Sequence, residues 1–178
     1  MTATSVDNPF RGRILAERIV ASNKDFKIVE DSDPVVPGHL LIFSVEEAAS
    51  FADCPTESLC TFLEGEFSDQ FTAQKYLFVE RGRGRFCSSF GNIIHAHGHL
   101  VPKDSWDRTS IAGVNAKKAS CLREAFQLIK GADEYLLVGQ VGGGFDVVCP
   151  LINAPKRLAR MIVNGDSLSR RVPSTQVQ

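Results

Sequence analysis

Long hydrophobic runs are missing from this chain. Nothing in it approaches the roughly 20 consecutive apolar residues that a membrane-spanning helix requires, so no helical anchor is expected. Nothing at the start reads as a secretory leader, since Met1 to Asn8 is polar, with no basic start and no apolar stretch, and a cytoplasmic setting is the expectation. Charge of one sign is also lacking. The 20 Lys and Arg stand against 21 Asp and Glu, a formal net charge of −1, so nucleic acid is not an expected partner and any anionic ligand has to be held by local groups. The five cysteines (Cys54, Cys60, Cys87, Cys121, Cys149) are odd in number and form no Cys-x-x-Cys pair. That excludes a zinc-ribbon or dithiol motif and leaves free thiols in a reducing compartment. Histidine is scarce, with four in the chain, and that scarcity makes their placement informative.

At 178 residues the chain can bury one core but hardly two, and its 43% hydrophobic and 23% charged residues are those of an ordinary globular protein. One domain is expected over 13–165, with 1–12 and 166–178 as flexible ends. Arg13 to Ser22 and Phe26 to Glu30 mix apolar and polar residues around the turn-prone Asn23-Lys24-Asp25, the pattern of an opening hairpin. Asp31 to Gly38 carries Pro34 and Pro37, which fix φ and disfavour helix in the residues before them, so a rigid connection leads into a strand from His39 to Val45. Between Thr56 and Ala73, the residues Leu59, Phe62, Leu63, Phe67 and Phe71 recur at helical intervals behind Pro55, which predicts an amphipathic helix.

Strands are expected over Tyr76 to Arg81 and Ile93 to Val101, separated by a loop rich in glycine, arginine and serine. A second helix is expected from about Asn115 to Lys130, with Leu122, Phe126 and Ile129 on one face and Gly131 as its stop. Glu134 to Val141 and Phe145 to Cys149 read as strands around a tight turn at Gly142-Gly143-Gly144. Pro155 suits the first turn of a last helix bearing Leu158, Met161 and Ile162. Strand runs mixed with separate helices predict an α+β domain built on an antiparallel sheet with helices packed on it.

The chemistry concentrates in Ile93-Ile94-His95-Ala96-His97-Gly98-His99-Leu100-Val101-Pro102, where three of the four histidines recur at spacing two. Strand side chains alternate between faces, so this spacing predicts three imidazoles on one wall, about 7 Å from one to the next. Imidazole titrates near neutrality and has two distinguishable nitrogens, so neighbouring rings can divide attack on phosphorus, tautomer control and proton transfer. A metal site competes with this reading, because His-x-His pairs on strands also serve as ligands. Such a site would normally add a carboxylate, a cysteine or a further histidine, and the nearest acids after the triad, Asp104 and Asp107, lie beyond Pro102. A purely structural row of histidines would need several hydrogen-bond partners and would repel itself when protonated.

His95-Ala-His97-Gly-His99-Leu-Val-Pro resembles the signature of the histidine triad superfamily, and Asp33-Pro-Val-Val-Pro-Gly38-His39-Leu-Leu-Ile42 resembles the segment that supplies its fourth histidine, especially in the fragile-histidine-triad branch. The resemblance spans roughly Arg13 to Pro102. It implies a nucleotide hydrolase or nucleotidyltransferase that cleaves at the α-phosphate of a nucleoside-monophosphate conjugate and needs no cofactor or metal. His97 would be the nucleophile that carries the nucleotidyl group, His95 and His39 would orient it, and His99 would contact phosphate oxygens or the leaving group. Asp31, eight residues before His39, stands where the family binds ribose hydroxyls; on turn chemistry alone it would be a capping aspartate before a proline-rich bend.

The segment Glu80 to Asn92 lies where relatives collect phosphate contacts, which implies Ser89 and Asn92 as substrate-binding residues, with Arg81, Arg83 and Arg85 as further donors. Asn92 stands three residues before His95, where the Hint branch has a serine. The residues between the histidines, Ala96 and Gly98, are smaller than those the family usually carries. Many relatives pair their sheets across a two-fold axis, which implies a homodimer. Two other functions stay open on these residues: a nucleotide-binding regulatory module with little catalysis, and a metal-dependent enzyme built on the histidine cluster.

Overall fold

Asn23 makes the first turn. Its Oδ1 accepts the backbone N–H groups of Asp25 at 2.9 Å and Phe26 at 2.8 Å, an Asx turn that folds β1 (Ile19–Ser22) back on β2 (Phe26–Glu30) in antiparallel register. The computed structural model describes residues 18–67, 69, 75–82, 95–105, 115–151 and 158–163. After the proline-bearing connection, Gly38 adopts φ +79°, a conformation that a residue with a Cβ rarely takes. There the chain turns into β3 (Leu40–Ser44), which pairs antiparallel with β2.

Helix α1 (Thr56–Thr61) starts behind Pro55, whose carbonyl accepts the Leu59 N–H at 3.1 Å. It continues as a π-helical segment, Phe62–Phe67, that buries Phe62, Leu63 and Phe67. The expected helical stripe is therefore present through Phe67, while Phe71 lies outside the described residues. β4 (Tyr76–Gly82) and β5 (His97–Pro102) follow, then β6 (Lys117–Ala119), α2 (Leu122–Leu128), β7 (Tyr135–Gln140), β8 (Phe145–Val148) and α3 (Leu158–Val163). Gly131 and Gly142 take positive φ, as the stop after α2 and the turn between β7 and β8.

The eight strands form one sheet in the order β1-β2-β3-β5-β4-β7-β8-β6, with every neighbouring pair antiparallel. An α+β fold on an antiparallel sheet is thus what the chain adopts. The helix expected from Asn115 needs correction. Lys117–Ala119 is an edge strand paired with β8, and α2 begins only at Leu122. Lys117 and Lys118 are exposed and carry no part of the apolar stripe, so helix propensity alone supported the longer span. Pairing with Phe145 to Val147 overrides it.

Alternation along β4 sorts the core. Tyr76 and Phe78 face a cluster with Phe26, Ile42, Phe51, Phe62, Leu100 and Leu122, the side covered by α1 and α2. Leu77 and Val79 face a second cluster with Val101, Leu136, Val138, Ile162 and Val163, the side covered by α3. Each fully buried phenylalanine contributes about 1.5–3 kcal/mol, and edge-to-face contacts such as Phe26 on Phe51, with centroids 5.8 Å apart, add orientation. On β5, Leu100 belongs to the first face and Val101 to the second, so alternation puts Gly98 with the first and His97 and His99 with the second. Among the described residues no helix is long and apolar enough to cross a membrane.

Candidate active site

β5 lies between β3 and β4, and the pairings Leu41 with His99, Phe43 with His97 and Val79 with His99 seat both histidines in the middle of the sheet. Central strands are the most rigid part of such a sheet, since both edges are hydrogen-bonded. Gly98 separates the two histidines because the opposite face has no room. A Cβ there would meet Phe78 Cε2 at 2.7 Å and the Val79 carbonyl at 3.2 Å. The small residue that departs from the family pattern is thus required by Phe78.

His95 corrects the expected wall of three. β5 begins at His97, and His95 precedes it in irregular backbone, so strand alternation does not orient its ring. Its Nδ1 lies 2.8 Å from the Ser44 carbonyl and 3.2 Å from that of Glu46. These carbonyls lie at and just beyond the end of β3, where the ladder no longer supplies donors. Because a carbonyl can only accept, His95 carries its proton on Nδ1 and its Nε2 is bare when the ring is neutral.

His97 is set in the same way. Its Nδ1 lies 3.2 Å from the His95 carbonyl, which fixes the proton on Nδ1 and presents Nε2 as a lone pair. The ring is half-buried, and loss of hydration pushes its pKa below the 6.5 of a free imidazole, against a smaller upward pull from the bond to His95. His97 is therefore neutral at pH 7 with its nucleophilic nitrogen unprotonated.

His39, at the entry to β3, completes the group. Its Nε2 lies 2.9 Å from His99 Nδ1, with the rings tilted at 37° and centroids 5.1 Å apart. Its Nδ1 lies 3.4 Å from Asp31 Oδ2 and 3.2 Å from the Val35 backbone nitrogen. Asp31 Oδ1 accepts the Asp33 N–H at 2.9 Å, so the turn-capping role expected from local chemistry is present alongside the contact with His39. The structure thus joins Asp31, His39 and His99, and sets His95 and His97 through backbone carbonyls. Ser89, Asn92, Arg83 and Arg85 lie outside the described residues.

Asp31, His39 and His99 also form the one group of potential metal ligands among the described residues, with candidate ligand atoms within 4.8 Å of one another. Asp31 supplies the carboxylate that a metal site would need. It reaches His39 at Nδ1, however, whereas His99 reaches the same ring at Nε2. One imidazole turns only one nitrogen to one ion, so a zinc at about 2.0–2.1 Å from its nitrogen ligands would have to break the His39–His99 hydrogen bond. The arrangement as it stands is a chain of hydrogen-bonding groups and does not converge on a point.

The burial of Glu80 escaped the sequence, and Arg81, expected among the phosphate donors, is instead buried and engaged by Glu134. Glu80 is buried on the α1–α2 side, where its Oε1 accepts the Phe51 N–H and the Tyr135 hydroxyl, each at 2.8 Å. Burial and the Glu80 charge push the Tyr135 hydroxyl pKa well up, so it stays a donor. Arg81, on the histidine side by alternation, is the one buried Lys or Arg among the described residues and forms an ion pair with Glu134. The signal was a Glu-Arg pair inside the apolar strand Tyr76–Gly82. Cys54 is no rival nucleophile: burial, with Glu80, Asp53 and Asp25 nearby, pushes its thiol up to about 12. Set against known proteins, the chain matches no family model and no curated protein.

Proposed function

We propose that the protein is a nucleotide hydrolase or nucleotidyltransferase of histidine-triad type, cleaving at the α-phosphate of a nucleoside-monophosphate conjugate through a nucleotidyl-imidazole on His97. The observation that carries this reading is the 3.2 Å approach of His97 Nδ1 to the His95 carbonyl. It commits the proton to Nδ1 and leaves a lone pair on Nε2, while desolvation keeps the ring neutral.

The remaining groups take roles by position. Attack by His97 Nε2 expels a leaving oxygen or nitrogen that needs a proton, and His99, two residues along the same strand face, takes the role of supplying it. His95 holds the His97 backbone against the end of β3 through its bonds to the Ser44 and Glu46 carbonyls. Ser89 and Asn92 belong to this reading as phosphate contacts from the segment before the triad. None of the four described cysteines is paired, which fits the reducing, cytoplasmic setting that goes with it. Among the described residues the sheet ends at β1 and β6, and β6 presents the exposed lysines Lys117 and Lys118, so a two-fold pairing of sheets is better served by the β1 edge.

Incubation with a panel that includes adenosine phosphoramidate and a dinucleoside polyphosphate tests the reading. Turnover is expected for the wild type and a loss of at least about 10³-fold for His97→Asn, the scale of removing a nucleophile. Tight nucleotide binding without turnover, unchanged by His97→Asn, would instead establish a regulatory binding module.

A further inference from the structure

His39 Nδ1 has two neighbours that make opposite demands on it. The Val35 backbone N–H, 3.2 Å away, donates to a bare Nδ1, whereas Asp31 Oδ2, 3.4 Å away, draws a proton onto it. The nitrogen can serve only one of them at a time. Across the ring, Nε2 meets His99 Nδ1 at 2.9 Å, and all three side chains are buried. Asp31 is held in this pose by its own Oδ1, which accepts the Asp33 N–H. Its second oxygen is thereby aimed at the histidines.

We propose that Asp31 is a positioning residue that loads a proton onto His39 Nδ1, making Asp31–His39–His99 a proton chain whose outlet is His99 Nε2. This rests on the nucleotidyl-transfer reading of His97, and it gives Asp31 an inward task in place of the ribose contact implied by resemblance. With Nδ1 bare, His39 Nε2–H donates to His99 Nδ1, and His99 keeps its own proton on Nε2. Release of that proton would then leave a ring anionic. With Nδ1 protonated, His39 is an imidazolium facing the Asp31 carboxylate, and the chain holds one transferable proton.

The balance then closes. In the first step the His97 Nε2–P bond forms and the bond from phosphorus to the leaving group breaks. The leaving atom takes the His99 Nε2 proton, and the His39 Nε2 proton moves to His99 Nδ1. His39 is left neutral with Nδ1–H on Asp31. In the second step a water oxygen bonds to phosphorus, and the N–P electron pair returns to His97 Nε2. The water proton goes to His99 Nε2, and the His99 Nδ1 proton returns to His39. Among the described residues, the titratable groups against His39 are Asp31 on the preceding connection and His99 on β5, with Asp33 two residues beyond Asp31 and His97 one same-face position further along β5. Arg81 of β4 lies on the same sheet face and is engaged by Glu134.

Nitrogen-15 NMR of the histidine rings in the full chain, from roughly pH 5 to 8, tests this without any turnover. In the wild type His39 should take its second proton with a midpoint above that of a free imidazole, while His99 stays neutral with its proton on Nε2. Asp31→Asn should lower the His39 midpoint by about one to three pH units, the usual effect of an adjacent opposite charge, and Asp31→Glu should recover part of it. An equal His39 midpoint in wild type and Asp31→Asn, or a His99 proton on Nδ1 in the wild type, would overturn the proposal. Should Asp31→Asn not fold, the wild type decides alone, since a His39 still neutral below about pH 6 contradicts a loaded chain. A normal His39 titration together with no turnover on any substrate would instead count against the reading of His97.

Discussion

His39 and His99 stand 60 residues apart in the chain, yet His39 Nε2 lies 2.9 Å from His99 Nδ1. Two local devices produce that contact. Gly38 takes φ +79° and turns the chain at His39, and the antiparallel pairing of Leu41 with His99 brings the two strands into register. A one-residue slip of β5 against β3 would send His97 and His99 to the opposite face, where Phe78 and Leu100 pack. The hydrophobic alternation of β5 thus fixes the position of the histidines.

The acid side of the pH–rate profile should reflect His97. Burial lowers its pKa below the 6.5 of a free imidazole, so Nε2 stays unprotonated and kcat/KM should hold its plateau through that pH and fall only below it. The sign for stability is the same. The unfolded chain binds the His97 proton more readily than the folded one, so stability is full above about pH 6.5 and declines as pH falls below it. Urea titrations across this range should show the decline for the wild type and a shallower one for His97→Asn.

Gly98→Ala should destabilise the protein by about 1–3 kcal/mol, since the new methyl would meet the Phe78 ring at 2.7 Å in the middle of the sheet. Equilibrium denaturation measures it. Adding Phe78→Leu should recover part of the loss relative to the sum of the single changes, and strict additivity would show that the Phe78 contact is not its source.

Tyr135→Phe should cost about 1–3 kcal/mol in the same assay, because it removes one of the two donors seen on the buried Oε1 of Glu80. The same change should lower activity, since β4 ends at Gly82, immediately before the segment that leads to the triad. A Cβ at Gly82 would lie 2.0 Å from the Tyr135 ring, so the ring covers that strand end directly.

These positions show what the sequence could and could not disclose. Turn signals and short apolar runs were enough to place β2, β3 and β4, whereas the strand expected from Ile93 begins only at His97. Asn23, Gly131 and Gly142 marked turns by their own chemistry. Lys117–Ala119 was misread because a three-residue edge strand has too few residues to show a period, and its partner Phe145–Val148 is distant in sequence. The orientation of His95 was hidden for a related reason. It depends on the carbonyls of Ser44 and Glu46, about fifty residues away, and on where β5 begins. The contact of Asp31 with His39 needed the geometry of the proline-bearing connection between them, which residue spacing does not give.

Chelation should leave the protein unaffected. His39 uses one nitrogen toward Asp31 and the other toward His99, so no ion is needed to hold the group together. Prolonged treatment with a strong chelator should change neither turnover nor Tm, and elemental analysis should find no stoichiometric metal. A Tm that falls on chelation and recovers with zinc would replace the hydrogen-bonded chain with a metal site.

The most direct measurement is the covalent intermediate itself. The protein is mixed with a nucleoside-monophosphate conjugate, quenched in acid-free denaturant within the first turnovers, and analysed by mass spectrometry with peptide mapping. A nucleotidyl group on His97, absent from His97→Asn and from samples allowed to run to completion, is the predicted result. Turnover that proceeds with no adduct on His97, or an adduct on another residue, would contradict the assignment of His97 as the nucleophile.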